Sequence, residues 1–214
     1  MNLSTVCIPK KGLPEGWVYI DEVIEDCIVD AKYACSENVF GKVIDGYFQP
    51  LVVCCKEVAE ACKKAADILR PQGYILKFYD SYRPQRAVND FCVWGEDIAD
   101  QRRKPVHYPN VEKKMMFELG YIARRSYHSR GSAVDLTIVD VRTHQELDMG
   151  SIFDFMDPRS HPDFQDLTCE QKKNRALLRE TMIACGFDPV DTEWWHFNIK
   201  NEPYPDTYFD FPIE

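Results

Sequence analysis

The stretch from Leu51 to Pro84 changes its hydrophobic period twice, and this restricts the fold more than any other feature of the chain. Apolar positions Val52, Val58, Cys62, Ala65 and Leu69 recur at helical spacing, and Pro71 with Gly73 ends the pattern, which predicts a helix from Leu51 to Leu69. The next residues, "YILKFYD" (74–80), are aromatic and β-branched and read as a strand. Pro84 suits the first position of a further helix, and its ring pushes Arg83 toward an extended backbone. Arg83 is thereby expected at a strand-to-helix corner.

Further along, a helix is expected from Val111 to Leu119, with Asn110 as cap and Gly120 as stop. The clearest helix follows Thr168 and Gln171, which form a capping box, and runs to Cys185, with Gly186 supplying the left-handed end. "SAVDLTIVD" reads as a strand, and 139–166, polar and carrying Pro158 and Pro162, as a long ordered loop of the kind that is often functional. Helices and strands without regular alternation imply an α+β fold with helices packed on a central antiparallel sheet. No repeat, low-complexity tract or flexible linker divides the 214 residues, so 1–214 is expected to form a single domain.

The formal charge of −9, from 26 Lys plus Arg against 35 Asp plus Glu, repels polyanions and argues against nucleic acid as a partner. No apolar run is long enough for a membrane span, and the opening "MNLSTVCIPKKGLPEG" lacks the apolar stretch of a secretory signal. The expected address is cytoplasmic. Nine cysteines, an odd number with no zinc-knuckle spacing, read as free thiols and agree with a reducing compartment. Oligomeric state is left open.

Two short segments carry candidate chemistry. In "SYHSRGSAVD" (126–135), Gly131 permits a tight turn that folds His128 toward Asp135, and His196 in "EWWHF" (193–197) is the obvious third ligand. Two imidazoles and a carboxylate leave a fourth position for water, which is the catalytic arrangement of zinc. His107, His144 and His161 lie in polar surroundings and read as solvent-exposed. Strand-like alternation in "TEWWHFNI" places Trp194, His196 and Asn198 on one face and Glu193, Trp195 and Phe197 on the other. For Glu193 and His196 to reach one metal, Glu193 must precede the regular strand or lie at a bulge. The competing reading is a buried aromatic strand with a satisfied histidine.

"SYHSRGSAVD" matches the Ser-x-His-x-x-Gly-x-Ala-x-Asp signature of zinc D,D-peptidases, and "EWWHF" their Glu-x-x-His element. "DAKYA", "GYILKFYDSYRPQRAV", "MGSIFDFMDPRSH" and "EPYPDTYFDFP" extend the similarity over nearly the whole chain from about Tyr19. The sequence resembles the D-alanyl-D-alanine dipeptidases of the vancomycin-resistance (VanX) type. The resemblance implies one Zn2+ per chain held by His128, Asp135 and His196, with Glu193 as general base and Arg83 as the active-site arginine. It further implies that Ser126, Tyr33 and Asp154 receive the free amino group of a small dipeptide. The implied activity is hydrolysis of D-alanyl-D-alanine, in glycopeptide resistance or in recycling of wall-derived dipeptide. A D,D-carboxypeptidase acting on peptidoglycan stem peptides shares the zinc motif, and a non-hydrolytic binding module would keep only the fold and a structural zinc.

Two positions depart from the family pattern. Val39 stands where an aromatic residue is expected after Asn38, with Phe40 one place later, and Tyr127 is bulkier than the small residue expected between Ser126 and His128.

Overall fold

The computed structural model describes residues 9–214. Strand β1 (Trp17–Tyr19) leads into a single helical turn, α1 (Ile20–Val23), and then β2 (Ile28–Val29). Strand β3 (Val53–Cys55) and helix α2 (Lys56–Leu69) occupy the stretch expected to be all helix. The helix starts late because Val53, Cys54 and Cys55 are wholly buried and pair antiparallel with Tyr19, Val18 and Trp17 of β1. A run apolar on both faces gains more from a ladder in the core than from one face of a helix. The other end of α2 follows the sequence: Arg70–Gln72 forms a 3-10 turn, and Gly73, at φ +85°, releases the chain into β4 (Tyr74–Asp80).

Helix α3 (Gln85–Glu96) begins one residue after Pro84, which is its extended N-cap and not its first helical residue. After the one-turn α4 (Lys104–His107), the helix expected over 111–119 is reduced to a 3-10 turn at Lys113–Met115. Lys113 explains this: its side chain is buried, stands 3.7 Å over the Trp94 ring, and donates to the Asp100 carbonyl. The amides of Tyr121 and Ile122 then both turn back to the Met116 carbonyl.

Strands β5 (Ala133–Asp140) and β6 (Gln145–Glu146) precede α5 (Cys169–Ala184), which carries the expected capping box and ends before Gly186 at φ +97°. β7 (Phe187–Pro189) and β8 (His196–Ile199) complete the chain. The long loop between β6 and α5 is pinned by Arg175, whose guanidinium donates to the carbonyls of Met149, His161 and Arg159.

The main sheet has the order β2-β4-β5-β8-β7, with β6 also pairing with β5. All its pairs are antiparallel except β2 with β4. The sheet is therefore mixed and not purely antiparallel as expected, because the connection from β2 to β4 runs through α2 and brings the chain back to the same end. One hydrophobic cluster joins both sheets to α2, α3 and α5. Every described cysteine is a free thiol; Cys7 lies outside the described residues.

The β4–β5 register changes between Phe78 and Asp80: Phe78 opposes Leu136, yet Asp80 opposes Asp135. The extra residue turns Asp80 onto the same face as Asp135. On the other side, Asp135 opposes His196 of β8. Three polar side chains from adjacent strands thus form one row across the sheet.

Candidate active site

His128 joins this row from outside the sheet. It sits on the 3-10 turn His128–Arg130, which Gly131 ends at φ +69°. A Cβ at Gly131 would lie 2.4 Å from the Trp17 ring, so both backbone and packing require glycine there.

Potential ligand atoms of His128, Asp135 and His196 all lie within 4.8 Å of one another, the only such group among the described residues. Nε2 of His128 is 3.3 Å from Asp135 Oδ2, Nδ1 of His196 is 3.1 Å from Asp135 Oδ1, and the two imidazole nitrogens are 3.1 Å apart. The outer nitrogens fix the tautomers. His128 Nδ1 donates to the Ser81 carbonyl at 2.6 Å, and His196 Nε2 donates to Asn198 Oδ1 at 2.9 Å. Each ring therefore turns a lone pair inward. Asp135 Oδ1 is buried and accepts no hydrogen bond, the His196 Nδ1 that faces it at 3.1 Å carrying a lone pair in this tautomer. Two lone pairs and an unsatisfied carboxylate oxygen converging in a buried space fit a divalent cation, and a mixed nitrogen–oxygen set suits zinc.

The electrostatics agree. Burial pushes His128 down to about 4, with Arg83 adding to the effect, so its ring is neutral and able to ligate. Asp135 is held well below the usual carboxylate range: burial opposes ionisation, but contacts with His128 and His196 outweigh it. Burial alone would lower His196, yet Asp135 and Glu193 raise it.

Glu193 precedes β8, which begins only at His196, so the alternation expected over the whole segment does not apply to it. Its carbonyl accepts from the His196 amide, and its Oε2 lies 3.8 Å from His196 Nδ1. The carboxylate therefore reaches the edge of the donor triad without belonging to it. Burial raises Glu193 to about 7, with Asp135 contributing and His196 and Arg83 opposing, which poises it as a base near neutrality.

Arg83 occupies the expected corner between β4 and α3. Its Nε donates to Asp80 Oδ2 at 2.9 Å and its Nη2 reaches Asp135 Oδ2 at 3.4 Å, while the guanidinium faces the rings of Phe91 and Tyr33. Asp80 also accepts from the Tyr47 hydroxyl at 2.7 Å; burial lifts its pKa to about 7, with the Arg83 charge offsetting only part of that. Neither Asp80 nor Tyr47 was singled out from the sequence. The one available signal was an acid three residues before Arg83 at the end of an apolar strand.

Tyr33, Ser126 and Asp154 line the same pocket, about 250 Å3 in volume, together with Arg83, Glu193 and the donor triad. The Tyr33 hydroxyl donates to the Asp154 carboxylate, at 3.2 Å from Oδ1 and 3.1 Å from Oδ2. Ser126 Oγ accepts from the His128 amide. Asp154 is buried in a left-handed backbone conformation, φ +56°, and burial, then Asp135 and Glu193, hold its carboxyl well above the usual range.

The remaining histidines divide. His144 is exposed as expected. His107 is buried, contrary to expectation: its Nδ1 donates to the Asp154 carbonyl and its Nε2 accepts from Arg103, and burial pushes it down to about 4. His161 is half-buried because its ring meets the Tyr121 hydroxyl. Phe40 lines the pocket whereas Val39 is fully buried away from it, and Tyr127 stands exposed at the rim.

A triad able to hold a metal, with a glutamate beside it and a small pocket that also holds a guanidinium, is the arrangement of a metallopeptidase. Comparison with known proteins gives the family. The model of the D-ala-D-ala dipeptidase family of peptidases matches residues 14–214, and the chain belongs to that family. It is 43% identical over 199 residues to the D-alanyl-D-alanine dipeptidase of Enterococcus faecium, covering 93% of this chain and 98% of that one. The D-alanyl-D-alanine dipeptidase of Streptomyces coelicolor is 44% identical over 92% of this chain and 98% of its own. That of Enterococcus faecalis is 40% identical over 94% and 100%.

Proposed function

We propose that this chain hydrolyses D-alanyl-D-alanine to two D-alanines, using one Zn2+ held by His128, Asp135 and His196. The observation that carries the reading is the shared pocket, in which the Asp154 carboxyl and the donor group His128, Asp135 and His196 line the same 250 Å3. When bound, zinc polarises the scissile carbonyl and makes water acidic enough to react near neutral pH.

The protein's own residues supply the rest. Asp154, with Tyr33 and Ser126, receives the substrate's α-ammonium; burial disfavours the ionised carboxyl in the empty pocket, and the arriving positive charge favours it, offsetting the cost of desolvating the ammonium. Glu193 takes a proton from the attacking water and returns it to the departing amine nitrogen as the C–N bond breaks. Arg83, oriented by Asp80, opposes the negative charge that develops on the carbonyl oxygen. Because Asp154 demands a free amino group one residue from the cleaved bond, dipeptides fit and long stem peptides do not.

The chain is read as one catalytic domain. Among the described residues no helix is long and apolar enough to cross a membrane, and a cytoplasmic site of action suits a chain rich in free thiols. The product chemistry serves either glycopeptide resistance or recycling of wall-derived dipeptide; growth of a deletion strain with and without vancomycin separates these. The deciding experiment is metal analysis of the purified protein alongside release of free D-alanine from D-Ala-D-Ala and from a stem pentapeptide. Dominant cleavage of the pentapeptide would replace this reading with the carboxypeptidase one.

A further inference from the structure

The substrate of this reaction is a zwitterion, and the groups described so far account for only one of its charges. Asp154 answers the ammonium; nothing yet answers the carboxylate. Two cationic side chains line the pocket, Arg83 and Arg125. Arg83 is already engaged, with Asp80 and Asp135 as carboxylate partners. Arg125 has no carboxylate partner and no hydrogen-bond acceptor among the described residues; its guanidinium rests 5.0 Å from the centre of the Tyr208 ring.

That resting place is built from the C-terminal segment. Tyr208 is fixed by Arg130, whose Nη1 donates to the Tyr208 hydroxyl at 3.3 Å, and Arg130 is itself paired with Glu202. The neighbouring Phe209 amide donates to the Ser129 carbonyl, which ties this segment to the turn carrying His128. A face-on aromatic contact orients a guanidinium while leaving its N–H edge free, and that edge matches a carboxylate in two-point geometry.

We propose that Arg125 binds the C-terminal carboxylate of the substrate and makes the enzyme selective for a free C-terminus. This rests on the dipeptide-hydrolysis reading. The pocket then measures its ligand from both ends, with Asp154 at one charge and Arg125 at the other.

The test compares D-Ala-D-Ala with its C-terminal amide, D-Ala-D-alaninamide, in wild type, Arg125→Gln and Arg125→Lys, with zinc content and thermal midpoint measured for each. Wild type should prefer the acid. Arg125→Gln should raise KM for the acid about tenfold, the size of one lost charge-assisted contact. It should leave the amide unaffected, so that the acid-to-amide preference collapses, and Arg125→Lys should restore part of it. If wild type cuts D-Ala-D-Ala and Arg125→Gln keeps the wild-type acid-to-amide ratio, the assignment of Arg125 is wrong. If wild type cuts neither compound, the hydrolytic reading fails and the inference falls with it.

Discussion

Asp80 is the group on which the placement of Arg83 depends most directly, and removing its side chain gives a result with a calculable size. In Asp80→Ala the Tyr47 hydroxyl and Arg83 Nε lose acceptors that now stand at 2.7 and 2.9 Å. The hydroxyl is buried and the guanidinium largely so, and an orphaned buried donor costs about 1–3 kcal/mol, with charged donors at the upper end. A stability loss of about 4 kcal/mol follows, a large fraction of the roughly 5–15 kcal/mol that holds a domain together. The guanidinium keeps only its longer contact with Asp135, at 3.4 Å. A misplacement of about 1 Å costs on the order of a hundredfold in rate, so kcat should fall by about that factor. KM should change little, because the ammonium is read at Asp154. Asp80→Asn keeps an acceptor for Arg83 and should lose only about tenfold in kcat by comparison. Urea unfolding and steady-state hydrolysis of D-Ala-D-Ala at full zinc occupancy measure both quantities. An Asp80→Ala protein with kcat within about twofold of wild type would refute the argument from geometry.

Four further outcomes are expected. Glu193→Gln should retain zinc and lose turnover, whereas His128→Ala and His196→Ala should lose the metal itself; equal metal loss in all three would make Glu193 a ligand. The pH profile of kcat/KM should fall on its acid side as Glu193, raised to about 7, takes up its proton, and a bound cation will move that limb to lower pH. For stability the sign is the reverse of the usual carboxylate case. The raised folded pKa means that the ionised form destabilises the metal-free fold above about pH 4.5, so Glu193→Gln should raise the thermal midpoint more at pH 8 than at pH 5 in chelator; an equal change at both would contradict the shift. Gly131→Ala, which meets both a left-handed backbone and the Trp17 ring, should fail to bind zinc or unfold at markedly lower temperature, and a variant with wild-type zinc affinity would show that the turn can relax.

The parts of the site that were legible in the sequence are those fixed by local chemistry. A seven-residue interval with a glycine inside it suffices to bring His128 to Asp135, and a proline after Arg83 suffices to mark a corner. Thr168 and Gln171 announce a helix start through bonds made within four residues. What stayed hidden depends on partners distant in the chain. Val53–Cys55 became a strand because β1 was there to receive it, and Lys113 broke a helical pattern because its amine found the Asp100 carbonyl. His107 looked like a surface residue until the chain brought it beneath the Asp154 carbonyl. Glu193 shows the boundary between these cases: the sequence stated the condition for it to reach the metal, and only the late start of β8 meets it.

One irregularity in β4 bears on how this scaffold can vary. With a flat, evenly paired strand, Asp80 would turn its carboxylate away from Asp135, and Arg83 would lose the anchor that aims it. A pairing that ran on evenly, with Tyr79 opposite Asp135, would thus disarm the pocket while leaving every ligand of the metal in place. Register in that strand is as much a part of the chemistry as any side chain it carries.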